Sequence, residues 1–160
     1  MPAIYAASLS VGATSVDDTL AAFSSVGPVA ADGSERIKPD LTAPGVSLRT
    51  AAPGSGYTSS FSGTSGAAPQ VAGAIALLWS AAPDLDGDVD RTEQLLEMGA
   101  VPLRLSSFCG SYSGENVPNP FFGWGRLDVA GSYAMIAPQR DGPVLLTPSP
   151  PAPRRLGPRP

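Results

Sequence analysis

The sequence predicts an α/β domain organised around one apolar helix. Residues 67–79 are almost wholly apolar and leave no broad polar face, so the helix should be covered on all sides. Residues 4–13 have the apolar pattern of a buried strand, and residues 129–136 carry apolar side chains at helical spacing. The central helix is too short, and too marked by glycine and proline, to span a bilayer.

The amino-acid composition indicates one globular unit and excludes some kinds of partner and cross-link. A length of 160 residues, with 42% hydrophobic and 15% charged residues, suits one globular unit with a modest core. The net charge is -4, and no basic cluster interleaved with aromatics precedes residue 138, so we expect no nucleic-acid partner. A single cysteine excludes an intrachain disulfide.

The N-terminal residues carry neither a positively charged segment nor a long apolar run. We therefore expect no signal peptide and no membrane anchor. The sequence does not indicate where the protein is located. Further along, the segment 37–45 ends in the turn Pro44-Gly45. Val46, Leu48 and Thr50 then alternate as in a half-buried strand.

Ser65 stands at the predicted start of the central helix. Thr64 is the expected N-cap, and Pro69 is best tolerated close to a helix start. Unpaired N–H groups and the positive end of the helix dipole favour a developing oxyanion there, and Gly63 and Gly66 leave room for a substrate backbone. The residues alone leave two interpretations open: a serine that merely caps a core helix, or a nucleophile.

An acidic segment follows the central helix. Its alternating aspartates suit either calcium or the capped start of a second helix, and they are Asp84, Asp86, Asp88 and Asp90. The EF-hand pattern fails because Val89 stands where glycine is required. We therefore favour a helix with Val89, Leu95 and Leu96 facing the core.

The C-terminal part contains a loop and a last helix. Residues 99–120 have the composition of a loop, and Cys109 within it is expected to be structural or incidental. Asp128 is the expected cap of a helix whose apolar positions are Val129, Tyr133 and Ile136.

Three segments of the chain carry a family resemblance. The run GTSGAAPQVAG, the segment AASLSVGATSVDDTLAAFSSVGP and the closing stretch NPFFGWGRLDVAGSYAMI resemble the subtilisin-like serine proteases, peptidase family S8. The resemblance covers residues 1–137 and implies the C-terminal part of that α/β fold, a mostly parallel sheet around a buried central helix carrying the nucleophile. It implies a serine endopeptidase with Ser65 as the catalytic nucleophile, supported by Gly63 and Thr64.

The resemblance also implies what this chain lacks. The family's aspartate, histidine and oxyanion-hole asparagine come earlier in the chain than its serine, and this sequence contains no histidine. A serine without a base is a poor nucleophile, so we expect the chain to be inactive by itself. Gly66 and Gln70 replace a methionine and a histidine that are usual in the motif, and neither is a catalytic group.

Partners and cofactors follow from the same resemblance. It implies a peptide or protein substrate, with residues 57–61 on the leaving-group side of the cleft, and a secreted or extracellular family. Calcium is bound by many members, mostly through residues outside this chain, so we expect no cofactor and no metal site here.

Two other functions stay open. Sedolisin-like peptidases share an SGTS nucleophile but use carboxylates in place of histidine. The second alternative is a non-catalytic remnant that binds partners through residues 138–160. Eight of these twenty-three residues are proline and four are arginine. That segment is predicted to be a disordered tail, and its composition is typical of ligands for proline-recognising domains.

Overall fold

A computed structural model describes residues 2–54 and 56–136 of the chain. The predicted tail, residues 138–160, lies outside the described residues. The helices are α1 (Thr64–Ala81), α2 (Val89–Gly99) and α3 (Val129–Ile136). The strands are β1 (Val11–Thr14), β2 (Leu41–Pro44), β3 (Leu48–Ala52), β4 (Gly56–Phe61), β5 (Phe108–Cys109) and β6 (Tyr112–Ser113). Short 3-10 turns span Pro2–Ile4 and Pro83–Leu85.

A parallel pair of strands forms the centre of the fold. β1 and β2 run parallel, and Val11 lies opposite Leu41 in their register. Thr42 of β2 makes a further parallel bridge to Arg126, which extends the sheet on the side away from β1. The pairs β3–β4 and β5–β6 are antiparallel hairpins. The predicted α/β class is confirmed.

Helix α1 packs against β1 and β2 through one face. Its buried residues recur every three or four positions, and they are Ala67, Val71, Ala74 and Leu78. The opposite face is exposed and includes Ala68, Ala72 and Ala76. The prediction that α1 is covered on all sides is therefore wrong for this chain, because its packing partners lie on one side only. No helix among the described residues is long and apolar enough to cross a membrane.

The predicted strand over residues 4–13 begins only at Val11. Two cationic side chains from a distant segment explain the difference. Arg36 Nη2 donates to the carbonyl of Ile4 at 2.7 Å, and Lys38 Nζ donates to the carbonyl of Ser8 at 2.7 Å. These carbonyls are held by side chains and do not pair with another strand.

The acidic segment is the start of α2, as predicted. Asp88 is its N-cap and accepts a hydrogen bond from the Arg91 amide at 3.2 Å. Val89 is 55% exposed, so its predicted place in the core is wrong. The buried positions are Leu96 and Thr92, and Leu95 is half-buried.

The C-terminal elements complete the core. The loop predicted over residues 99–120 contains the β5–β6 hairpin, in which Cys109 is free and half-buried. Asp128 accepts a hydrogen bond from the Gly131 amide at 3.0 Å, so the predicted cap of α3 is confirmed. Tyr133 is 45% exposed, and the residue of α3 that is fully buried is Ser132.

Candidate active site

Ser65 is the second residue of α1, and its side chain is exposed. The N-cap is Gly63, so the prediction of Thr64 as the cap is wrong: Thr64 is already helical. The Gly63 amide donates to the carbonyl of Gly45 at 2.8 Å, and its carbonyl accepts from the Gly66 amide at 3.0 Å. This backbone arrangement begins the helix without a capping side chain.

The polar groups of Ser65 are available to a ligand. In residues 2–54 and 56–136, no protein group is hydrogen-bonded to the backbone N–H or the Oγ of Ser65. The N–H belongs to the first turn of an 18-residue helix, whose positive end stabilises negative charge. The hydroxyl and the N–H of Ser65 therefore lie together at the positive end of α1, where negative charge on a ligand would be stabilised.

Gly45 fixes the position of the loop before Ser65. A Cβ added to Gly45 would lie 2.6 Å from the Cβ of Ala13 and 3.0 Å from the carbonyl oxygen of Gly63. Only glycine allows this approach of the loop to β1. Because Ala13 is fully buried in β1, the sheet holds the serine through this contact.

A first cavity of about 440 Å³ lies between α1 and the β3–β4 hairpin. Its lining is mostly apolar and includes Leu48, Arg49, Thr50, Phe61, Ser65, Gly66, Pro69 and Gln70. Phe61 thus contacts the space beside Ser65, whereas Tyr57 lies under the Arg49 guanidinium, 5.2 Å from Cζ to the ring centroid. The assignment of residues 57–61 to the leaving-group side stays a prediction.

A second cavity, of about 520 Å³, lies on the other side of Ser65. It is lined by Ala3, Ser8, Leu9, Ser10, Val11, Thr64, Ser65 and Ala68. Ser65 is the one residue that lines both of these cavities. An extended chain that crossed the helix start would therefore have room on both sides of the hydroxyl.

The two unusual residues of the motif have structural roles. Gln70 Nε2 donates to the carbonyl of Pro44 at 2.6 Å and to that of Gly66 at 3.0 Å, which ties α1 to the end of β2. A Cβ on Gly66 would meet Leu48 Cδ1 at 2.5 Å and the Phe61 ring at 3.0 Å. The hairpin side chains occupy the space that a larger residue at position 66 would need.

No proton acceptor for Ser65 lies in the two cavities. Arg49 is the one ionisable residue among the residues lining them, and a guanidinium stays protonated. A general base must lie within hydrogen-bond reach of the hydroxyl. Among the described residues that line the two cavities, none has a side chain that can act as a base for the Ser65 hydroxyl.

The residues that the structure describes do not form a calcium site. Among the described residues, no group of three or more metal-ligating side chains lies close enough to hold an ion. In the acidic segment, Asp88 caps α2 and Asp84 pairs with Arg91 at 2.9 Å. Asp88 and Asp84 therefore already have partners, the amide and the guanidinium of Arg91.

Sequence reasoning missed three residues of the first cavity. Leu48 and Arg49 lie seventeen and sixteen positions before Ser65, and the β3–β4 hairpin brings them close to it. Gln70 had a visible signal, since it is the one polar side chain in the otherwise apolar run 67–79. In the structure Gln70 makes a tertiary contact, the hydrogen bond to the carbonyl of Pro44.

Comparison with known proteins gives consistent matches. The sequence model of the Subtilase family, Peptidase_S8, matches residues 1–125. Bacillopeptidase F from Bacillus subtilis (strain 168) is 40% identical over 135 residues, which cover 84% of this chain and 9% of that protein. The structure of the Clostridium perfringens CspB protease aligns with a TM-score of 0.69 and 32% identity, over 88% of this chain and 29% of that one.

A second solved structure, the patellamide maturation protease PatA, aligns with a TM-score of 0.61 and 30% identity. The alignment covers 85% of this chain and 45% of the PatA chain. This chain therefore spans less than half the length of each of these three proteins.

Proposed function

The chain belongs to the subtilase family, and we propose that it forms the nucleophile-bearing part of a serine endopeptidase, with Ser65 as the attacking group. The observation that carries the proposal is the position of Ser65. It is an exposed serine with an unpaired N–H at the start of α1, between two cavities that leave room for an extended peptide.

The chemistry follows from that position. Ser65 Oγ attacks the carbonyl carbon of a peptide bond while a base takes the hydroxyl proton, and the carbonyl oxygen becomes an oxyanion that accepts from the Ser65 N–H. The carbon–nitrogen bond then breaks, the amine leaves with that proton, and an acyl-enzyme remains on Oγ. Water hydrolyses the ester and regenerates the serine.

The base comes from outside these 160 residues, which contain no histidine. In the subtilase family a histidine, oriented by an aspartate, performs this role, and an asparagine adds a second oxyanion donor. Gly63 and Thr64 support the nucleophile, because Gly63 anchors the loop to Gly45 and Thr64 lines the second cavity. Without the base we expect the isolated chain to show no measurable peptidase activity.

The test restores the absent groups in one polypeptide. The portion of the bacillopeptidase F catalytic domain that precedes its match to this chain is joined to residue 1, giving a molecule we call the completed fusion. We expect a fluorophosphonate probe to label Ser65 in the completed fusion and the fusion to cleave casein. Ser65→Ala abolishes both, whereas Ser80→Ala, an exposed serine on the same helix, leaves both unchanged.

The isolated chain is the second arm of this experiment. Labelling of Ser65 in the isolated chain at the rate of the completed fusion would show that no external base is needed. A folded completed fusion that neither reacts with the probe nor cleaves casein would contradict the proposal and favour a non-catalytic remnant.

A further inference from the structure

Arg49 is a cation beside Ser65 that the proposed reaction does not use. It lines the cavity of about 440 Å³ that Ser65 also lines, and every other residue lining that cavity is uncharged. A guanidinium keeps its proton, so Arg49 is neither an acid nor a base in the reaction. A fixed positive charge in this place can act only on the ligand that enters the cavity.

No carboxylate in residues 2–54 and 56–136 forms an ion pair with Arg49. Arg49 also borders an adjoining cavity of about 420 Å³, and Asp18 is the one carboxylate that lines either of these two spaces. Asp18 lies 2.6 Å from Arg126 Nε and is therefore already paired. The charge of Arg49 remains available to an acidic group of a ligand.

The β3–β4 hairpin places the guanidinium at the rim of the cavity. Leu48 and Phe61 face α1, because a Cβ added to Gly66 would touch both of them. Side chains alternate along a strand, so Arg49 leaves β3 on the opposite side and is exposed. There it lies over the Tyr57 ring, with Cζ 5.2 Å from the ring centroid. The ring restricts the orientation of the guanidinium.

We propose that Arg49 is a specificity-determining residue that selects peptides with an acidic side chain close to the scissile bond, and that Tyr57 positions it. This inference rests on the proposed function. A guanidinium binds a carboxylate through two parallel hydrogen bonds, which an amide of the same shape cannot reproduce. The contact lies away from the reacting atoms and forms before the reaction, so it lowers KM and leaves kcat nearly unchanged.

The experiment uses the completed fusion. A casein sequence that it cleaves is prepared as quenched fluorescent peptides, with glutamate or glutamine at each of three positions on either side of the scissile bond. At one of these positions we expect kcat/KM for the glutamate peptide to exceed that for the glutamine peptide by about 5-fold, the upper range for an exposed ion pair. Salt at about 1 M should reduce this ratio by screening the pair.

Substitutions identify the residue responsible for the ratio. Arg49→Gln should bring it to about 1, Arg49→Glu should invert it, and Arg49→Lys should retain part of it because the charge is kept. Tyr57→Phe should keep the preference, whereas Tyr57→Leu should reduce it because the ring is lost. Arg104→Gln is the matched control: it removes the same charge from an exposed arginine that lines neither cavity, and it should keep the parent ratio.

Two results in an active completed fusion overturn the inference and leave the proposed function standing. The first is equal cleavage of the glutamate and glutamine peptides at every position. The second is a preference that Arg49→Gln leaves unchanged, or that Arg104→Gln removes equally, since net charge would then be the cause. If the completed fusion neither reacts with the probe nor cleaves casein, the proposed function fails and the role of Arg49 fails with it.

Discussion

Gly45→Ala tests how the sheet positions the nucleophile. The new Cβ would lie 2.6 Å from the Cβ of Ala13, and two carbons pack best at about 3.5–4.0 Å. The contact therefore has to open by about 1 Å. Ala13 is fully buried in β1, so we expect the loop that joins Gly45 to Gly63 to move, and Ser65 with it.

The expected effect on the reaction is large. A displacement of about 1 Å at a reacting group costs about 100-fold in rate. Overpacking of this kind also lowers the free energy of unfolding by about 1–3 kcal/mol. The assay is the rate of fluorophosphonate acylation of the completed fusion, with the thermal midpoint of unfolding measured on the same preparation.

Gly56→Ala is the matched control, because a Cβ at Gly56 would meet no atom within 4 Å. We expect it to acylate and unfold like the parent. If Gly45→Ala also acylates at the parent rate, the sheet does not position Ser65 through this contact, and the reasoning is refuted.

Three further predictions concern stability, measured by urea denaturation. Leu96→Ala truncates a fully buried side chain and should lower the free energy of unfolding by about 2–5 kcal/mol, whereas Met98→Ala, at an exposed position, should change it little. Lys38→Met leaves the Asp40 carboxylate, which Lys38 Nζ contacts at 2.6 Å, without its cation in a largely buried place. It should cost about 3 kcal/mol, and most of that should return when Asp40→Asn is added. Burial, and then the charge of Asp40, raise the pKa of Glu97. The folded state therefore holds that proton more tightly than the unfolded state, and ionised Glu97 is destabilising above its raised pKa. Glu97→Gln should be more stable than the parent at neutral pH, and the difference should vanish as the pH falls below the ordinary glutamate value.

Local patterns in the sequence were sufficient to predict several secondary-structure elements. The apolar run predicted α1, an aspartate of the acidic segment was predicted to cap α2, and Asp128 was predicted to cap α3; the structure shows that the first of these aspartates is Asp88. A cap acts on an amide three residues away in both cases, so the information lies within one helical turn. The family motif around Ser65 is equally local.

Predictions that depended on distant residues failed. Thr64 was the expected cap, but the loop is set by the bond from Gly63 to Gly45, eighteen residues earlier. The strand expected from Ile4 starts late because Arg36, thirty-two residues away, holds the Ile4 carbonyl. Such partners are invisible to a short sequence window.

The sequence by itself determined that an apolar helix starts within the subtilase motif, next to its serine, and that no imidazole exists in this chain to activate that serine. Only the tertiary structure decided which side of that helix is covered, and which residues line the two cavities beside Ser65. The physical reason is the range of the interactions. Helical periodicity and capping involve residues within a few positions, whereas burial and cavity shape arise where β1, the β3–β4 hairpin and α1, distant in sequence, pack together.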